Sequence, residues 1–333
     1  MTRVAVMGTG SWGTTFAVVL ADAGATVRLW GRRAEVCRQI TDDHRNPEYL
    51  GDVVLPAGIT AAPDPAEVLD GAQVVVLALP SQSLRANLTA WRDAVPNGAD
   101  LVSLMKGVEL GSLQRMSEVI CEVTGAGTER VAVVSGPNLA REIAQRQPTA
   151  TVVASASAQT AERVAEVCSA PYFRPYTNTD VVGVEMGGVV KNVIALAVGM
   201  AEGMGLGDNS KASIITRGLA ETTRLALAMG AEPTTLAGLA GLGDLVATCA
   251  SPLSRNRTFG TLLGRGIPIE QVVAQTRQTA EGVKSCAPVL ALARKHGVDM
   301  PITEQVVGVV HEGVPVAELA SRLLSRARKT EAG

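Results

Sequence analysis

The chain has few of the side chains that most often carry chemistry on their own. Its 333 residues include three histidines, five cysteines and six lysines. The cysteines, Cys37, Cys121, Cys168, Cys249 and Cys286, are scattered, odd in number and never spaced C-x-x-C. That excludes a disulfide framework or zinc site as the organising device, so no metal is expected. It points instead to reduced thiols in a cytoplasmic protein. His44, His296 and His311 fall in loop or C-terminal helical contexts without a matching motif and read as structural or surface residues. A formal net charge of −2 supplies no basic field for nucleic acid, so any anion must be held locally. Internal repeats and low-complexity linkers are absent. No charged-then-apolar leader precedes the first strand, so no signal peptide is expected.

What is present suits a two-domain α/β protein, with 47% hydrophobic residues and 34 glycines. The first half alternates strand and helix patterns, with strands expected at 4–7, 27–30, 74–79, 101–104, 131–135 and 150–154. Most are continuous apolar runs, as in a parallel sheet covered on both faces. After residue 179 the pattern becomes helical, from 181–203 through 286–296 and 302–312 to 316–326, with a frayed tail at 329–333. The expected division is a Rossmann-type parallel-sheet domain for dinucleotide binding at 1–179 and an all-α substrate domain at 180–333. The apolar stretch 181–207 is long enough to suggest a membrane span. It contains Glu185, Lys191 and Glu202, which are costly in lipid, so it reads as a buried helix whose glycines permit tight packing.

The first strand runs into Gly8-Thr9-Gly10-Ser11-Trp12-Gly13, a G-x-G-x-x-G turn. Gly8 permits the tight turn, Gly10 lets a pyrophosphate approach the backbone, and Gly13 lets the next helix pack close. That helix, expected at 14–22, aims its N–H groups and dipole at the phosphate. A second strand closes the βαβ unit and ends in Gly31-Arg32-Arg33, where NAD-selective sites usually carry an acidic residue. Two guanidiniums there can pair with the 2′-phosphate of NADP. The alternative makes them solvated surface arginines, and Glu35 lies near enough to reach a ribose. NADP(H) is the preferred cofactor, with NAD(H) possible.

Two of the scarce lysines stand where a surface lysine is not expected. Lys106 ends a buried strand at the ligand-facing edge, and Lys191 lies in the apolar run Gly187-Gly188-Val189-Val190-Lys191-Asn192-Val193. Desolvation lowers the pKa of a buried ammonium, and such a lysine can transfer protons near neutral pH. The blander reading is a lysine snorkelling from the helix to water. Asp244, in Gly241-Leu242-Gly243-Asp244-Leu245, is a plausible partner for Lys191, or an N-cap, or both. Ser254-Arg255-Asn256-Arg257 is a short polar loop with donors suited to phosphate; alone it would pass for a surface turn.

These segments, with Ser135-Gly136-Pro137-Asn138-Leu139-Ala140 and Glu185-x5-Lys191-Asn192, resemble the bacterial NAD(P)-dependent glycerol-3-phosphate dehydrogenases. The likeness runs in order from residue 4 to about Arg328, ending in Leu324-Ser325-Arg326-Ala327-Arg328-Lys329. It implies reversible reduction of dihydroxyacetone phosphate to sn-glycerol 3-phosphate, feeding phospholipid synthesis. By resemblance, Lys191 is the general acid, Lys106 holds and polarises the substrate, and Asp244 orients Lys191 and binds a substrate hydroxyl, with Thr248 nearby. Arg255 and Asn256 would grip the phosphate, assisted by Ser254. Gly136, Asn138 and Ala140 would line the cofactor–substrate junction. Glu281, in Thr279-Ala280-Glu281-Gly282, would lie near the cofactor. Besides the glycines, Ser11, Trp12, Arg32, Arg33, Lys106, Arg255 and Glu281 are the expected cofactor contacts. Asn138 is a departure, since many relatives have Ser or Thr there. A homodimer is expected from the apolar helical domain and the resemblance.

Two other functions fit parts of this pattern. A two-domain reductase of a 3-hydroxyacid or ketopantoate type would share the plan but need no phosphate loop. A non-catalytic NADP(H) sensor would need the glycine turn and arginines, but not Lys106, Lys191 and Asp244.

Overall fold

A computed structural model of the chain describes residues 1–276 and 280–318. Most of the expected 316–326 helix, the 324–329 motif, the 329–333 tail and Thr279 lie outside the described residues. Eight strands form one sheet: β1 (Arg3–Met7), β2 (Thr26–Trp30), β3 (Ile59–Ala62), β4 (Val74–Leu77), β5 (Asp100–Ser103), β6 (Val131–Ser135), β7 (Thr149–Ser155) and β8 (Phe173–Asn178). Their order is β3-β2-β1-β4-β5-β6-β7-β8. Alternation along each central strand feeds two apolar layers. Val4, Val6, Val74 and Val76 face one layer, whereas Ala5, Met7, Val75 and Leu77 face the other.

The sheet departs from an all-parallel expectation at one pairing, since β7 runs antiparallel to β6. The reason lies in their connection, which holds only the short helix Ala140–Ala144. That helix packs on helix Ser11–Asp22, where Thr15 Oγ1 donates to the Ala140 carbonyl at 3.2 Å. Without a full crossover the chain turns back, and the returning strand is antiparallel. β3 and β8, both unforeseen, are the two edges of the sheet. Edge strands need no continuous apolar run, and β8 carries Arg174, Pro175 and Asn178.

At the carboxyl edge of β1, β4, β5 and β6 the loops lie side by side: Gly8–Gly13, the turn Ser81–Ser83, Lys106-Gly107 and Gly136–Asn138. Facing that edge is a helical assembly built around helix Val181–Gly203. By length and composition this helix could cross a membrane, but 89% of its most apolar window is buried inside the molecule. Helices Asp208–Ala228, Asp244–Ala250, Arg255–Gly264 and Glu281–Lys295 surround it.

The closest of these contacts is made by glycines on both sides. A Cβ on Gly199 would lie 2.1 Å from the Arg257 carbonyl oxygen, and one on Gly203 would lie 2.2 Å from that of Thr261. Gly260 and Gly264 answer from the other helix, 2.2 Å from the carbonyl oxygens of Leu196 and Met200. Backbone meets backbone, so a single added methyl must push the helices apart. Gly199→Ala should lower unfolding stability by about 1–3 kcal/mol, the usual scale of overpacking. A urea midpoint equal to that of the parent would show that the helices can separate without loss.

Candidate active site

The glycine turn has the geometry a dinucleotide needs. Gly8 has φ 142°, and a Cβ there would lie 2.3 Å from the Ala78 carbonyl oxygen. A Cβ on Gly13 would strike the Gly8 carbonyl at 2.2 Å, whereas one on Gly10 meets nothing within 4 Å. The turn is closed where strand and helix meet and open where a phosphate would approach. The helix starts at Ser11, earlier than expected, with Gly10 as its N-cap and no capping side chain. Its first N–H groups can therefore serve an anion. Trp12 packs edge-on against Phe16, and its buried Nε1 has no hydrogen-bond partner. Arg32 and Arg33 are exposed at the end of β2, but Arg33 is ion-paired with Glu48 at 2.6 Å.

Three expected residues meet at the opposite wall. The Asp244 carboxylate is 1% exposed and takes an ammonium on each oxygen: Lys191 at 2.5 Å and Lys106 at 2.6 Å. Lys191 also donates to Thr248 Oγ1 at 2.7 Å, and Lys106 donates to the Gly136 carbonyl at 3.2 Å. Asp244 is thus no N-cap, since Gly243 takes that position and the carboxylate belongs to the lysines. One turn of π-helix, Leu239–Gly243, sets it there. The Lys191 helix comes close because a Cβ on Gly187 would lie 2.5 Å from the Ala240 carbonyl, and one on Gly188 would lie 2.7 Å from Ser135 Oγ.

Two ammoniums on one carboxylate leave an excess positive charge in a nearly dry place. Burial pushes Lys191 down from its ordinary range to about 8, and the neighbouring Lys106 adds to this while Asp244 opposes it. Lys191 is therefore poised to give or take a proton near neutrality. Snorkelling is ruled out, since its ammonium ends inside the protein on Asp244 and Thr248.

The polar loop lies at the N-terminus of helix Arg255–Gly264, with Ser254 as N-cap accepting from the Arg257 N–H at 3.3 Å. Asn256 is buried and tied on both sides of its amide, donating to Asn192 Oδ1 at 2.8 Å and accepting from the Gly282 N–H at 2.9 Å. That bond brings Glu281 alongside, where its carboxylate accepts from Ser81 Oγ at 3.3 Å. Burial raises the Glu281 pKa, against the nearby charges of Arg255 and Lys284. Arg257 turns away to Glu202 at 2.6 Å. Asn138 donates to Thr151 Oγ1 at 3.0 Å, and its buried Oδ1 has no hydrogen-bond partner. Ala140 opens the short helix beside Ser11–Asp22, on the cofactor side.

A family model described as NAD-dependent glycerol-3-phosphate dehydrogenase N-terminus matches residues 3–161, and its C-terminus counterpart matches 180–321. The chain belongs to the NAD-dependent glycerol-3-phosphate dehydrogenase family. It is 62% identical over 329 residues to the glycerol-3-phosphate dehydrogenase [NAD(P)+] of Streptomyces griseus, covering 99% of this chain and 98% of that protein. It is 60% identical over 332 residues to that of Thermobifida fusca, covering 99% of each. Among solved structures, the glycerol-3-phosphate dehydrogenase of Coxiella burnetii superposes with a TM-score of 0.93 at 37% identity, over 98% of this chain and 99% of that one.

A further contact joins the helical part to the sheet part, through a residue that the sequence marked as a motif member and as a charge in an apolar stretch, but without a partner. Glu185 is buried six residues before Lys191, and it accepts from Arg115 at 2.6 Å, Ser117 Oγ at 2.6 Å and the Ser117 N–H at 2.9 Å. The signal was a carboxylate in an apolar helix; its partners, 70 and 68 positions upstream, were not readable. Glu185→Ala removes the better-buried of Arg115's two carboxylate partners and should cost about 3 kcal/mol. Thermal unfolding of Glu185→Ala beside Glu185→Gln measures this. Equal, small losses would mean the charge contributes little.

Proposed function

We propose that the chain catalyses the reversible reduction of dihydroxyacetone phosphate to sn-glycerol 3-phosphate, preferring NADPH and also using NADH. The observation that carries this reading is the buried Lys191–Asp244–Lys106 cluster at the cofactor edge of the sheet. When bound, the reduced nicotinamide supplies the hydride that adds to the carbonyl carbon. As that carbon is attacked, its oxygen gains negative charge, and the two ammoniums stabilise it in a low-dielectric setting. Lys191 then delivers the proton, and in the reverse direction it accepts one. Asp244 holds both lysines in place and offers an acceptor to a substrate hydroxyl, with Thr248 fixing the Lys191 ammonium. Lys106, Gly136 and Asn138 line the approach from the sheet side, beside Ala140.

The phosphate belongs at the N-terminus of helix Arg255–Gly264. Ser254, Arg255 and Asn256 stand there, and the backbone N–H groups and guanidinium together suit a dianion. A reductase of phosphate-free substrates has no use for that end, which favours the phosphorylated ketone. On the cofactor, Gly8, Gly10, Ser11, Trp12 and Gly13 receive the pyrophosphate side, Arg32 and Arg33 the 2′-phosphate, and Lys106, Arg255 and Glu281 the nicotinamide side. The division into a cofactor domain, 1–179, and a substrate domain, 180–333, follows the end of β8 at Asn178 and the start of the central helix at Val181. The scattered free cysteines support a cytoplasmic enzyme, and the resemblance supports a homodimer that feeds phospholipid synthesis.

The test is oxidation of NADPH by the purified protein with dihydroxyacetone phosphate, with NADH run in parallel. Lys191→Ala should lower turnover by about 10²–10⁴-fold, the range of one general acid, while NADPH binding by fluorescence is unchanged. Loss of cofactor binding in that variant would remove Lys191 from the proton-transfer role.

The pH dependence separates the two directions. Reduction needs Lys191 charged, so its kcat/KM should fall as pH rises through about 8, the value to which burial lowers this lysine. Oxidation needs the same group neutral and should rise across that window. Profiles bending the same way in both directions would mean that another group titrates.

A further inference from the structure

Arg33 is not simply available at the end of β2. Its guanidinium is held by Glu48 at 2.6 Å, with side chains 56% and 39% exposed. Exposed pairs are ordinarily loose, because both side chains must be ordered. Here the carboxylate end has a fixed address. Glu48 sits in the short helix Pro47–Leu50, whose N-cap, Asn46, is fully buried. Asn46 Nδ2 donates to the Thr9 carbonyl and to Thr14 Oγ1, both at 2.9 Å. Leu50, at the other end, is 5% exposed. The segment carrying Glu48 is therefore anchored to the glycine turn and to the first turns of the helix behind it. Arg32, by contrast, is exposed and makes no hydrogen bond or ion pair among the described residues.

We infer that Glu48 sets the balance between NADPH and NADH by competing with the cofactor's 2′-phosphate for Arg33. The inference rests on the reading that Arg32 and Arg33 face that phosphate. A 2′-phosphate carries close to two negative charges at neutral pH, and Glu48 carries one. When NADPH binds, Arg33 must leave or share its carboxylate, and Glu48 repels the incoming anion. When NADH binds, the 2′-hydroxyl asks nothing of Arg33, and the pair stays intact. Glu48 thus weakens one cofactor and not the other, leaving Arg32 as the unopposed phosphate reader. Glu35, exposed in the first turn of helix Ala34–Thr41, is a second nearby acid, and no ion pair joins it to Arg33 among the described residues.

The experiment is calorimetric binding of adenosine 2′,5′-bisphosphate and of adenosine 5′-monophosphate to the full chain. These probes differ in the 2′-phosphate and need no turnover. Glu48→Gln should tighten the bisphosphate by about two- to fivefold, the range expected for one exposed pair, and leave the monophosphate unchanged. In an Arg33→Ala background the same substitution should have at most a residual effect. Asp52→Asn removes an equal charge from the same segment, where Asp52 faces Arg45 at 3.9 Å, and should leave the ratio of affinities as it was. Unchanged or weaker bisphosphate binding by Glu48→Gln would overturn the inference, as would an equal shift from Asp52→Asn. Parent protein binding the two probes equally would overturn the NADPH preference instead. The parent's ratio and the change in that ratio are separate readouts.

Discussion

The site depends on one buried carboxylate holding two ammoniums. Asp244 receives Lys106 from the loop after β5 and Lys191 from the central helix, so a single side chain joins the sheet to the helical assembly at the proposed catalytic centre. An isolated charge in such a place would be expelled or neutralised, because desolvation costs several kcal/mol per ion. Three charges together are tolerable only when further partners share the ammonium N–H groups. Thr248 takes a second N–H of Lys191, and the Gly136 carbonyl takes a second N–H of Lys106. The cluster is left with more positive than negative charge, and that imbalance is what an electron-rich oxygen would complete.

Such a cluster tolerates little movement, which explains why so much nearby structure is glycine. Gly187 and Gly188 let the Lys191 helix reach the π-helical turn before Asp244 and the end of β6, while Gly199, Gly203, Gly260 and Gly264 lock that helix to the one that begins at Arg255. Helix Val181–Gly203 therefore fixes Lys191 and the Arg255–Asn256 end at once. Glu185 adds a lateral tie to Arg115 and Ser117. Packing sets the distances, and the charges then use them.

Much of this was legible in the sequence, and the failures share a cause. The strands buried on both faces were found because burial forces a continuous apolar run. The two edge strands were missed because half their surroundings are solvent. Lys106, Lys191 and Asp244 stood out as charges in apolar surroundings, and the structure brings them together. Their arrangement was only partly foreseen, since Lys106 also binds Asp244. Partners that are polar on both sides left no such contrast. Asn192 with Asn256, Ser81 with Glu281 and Asn46 with Thr9 look like ordinary polar residues until the fold pairs them.

Concavity alone would have pointed elsewhere. A cleft of about 750 Å³ opens at the amino ends of the strands, lined by residues such as Thr2, Gly24, Gln73, Gly98 and Arg163. It has volume, but Arg163 there is matched by Asp100 in a pair at 2.9 Å, so local charge is balanced. At the carboxyl edge the charges are not balanced, the N-terminus of helix Ser11–Asp22 has no capping side chain, and buried polar atoms such as Asn138 Oδ1 have no hydrogen-bond partner. Incomplete hydrogen bonding is expensive inside a protein, and it persists where a ligand completes it. The edge that the fold leaves electrostatically unfinished is therefore the one that supports the proposed chemistry.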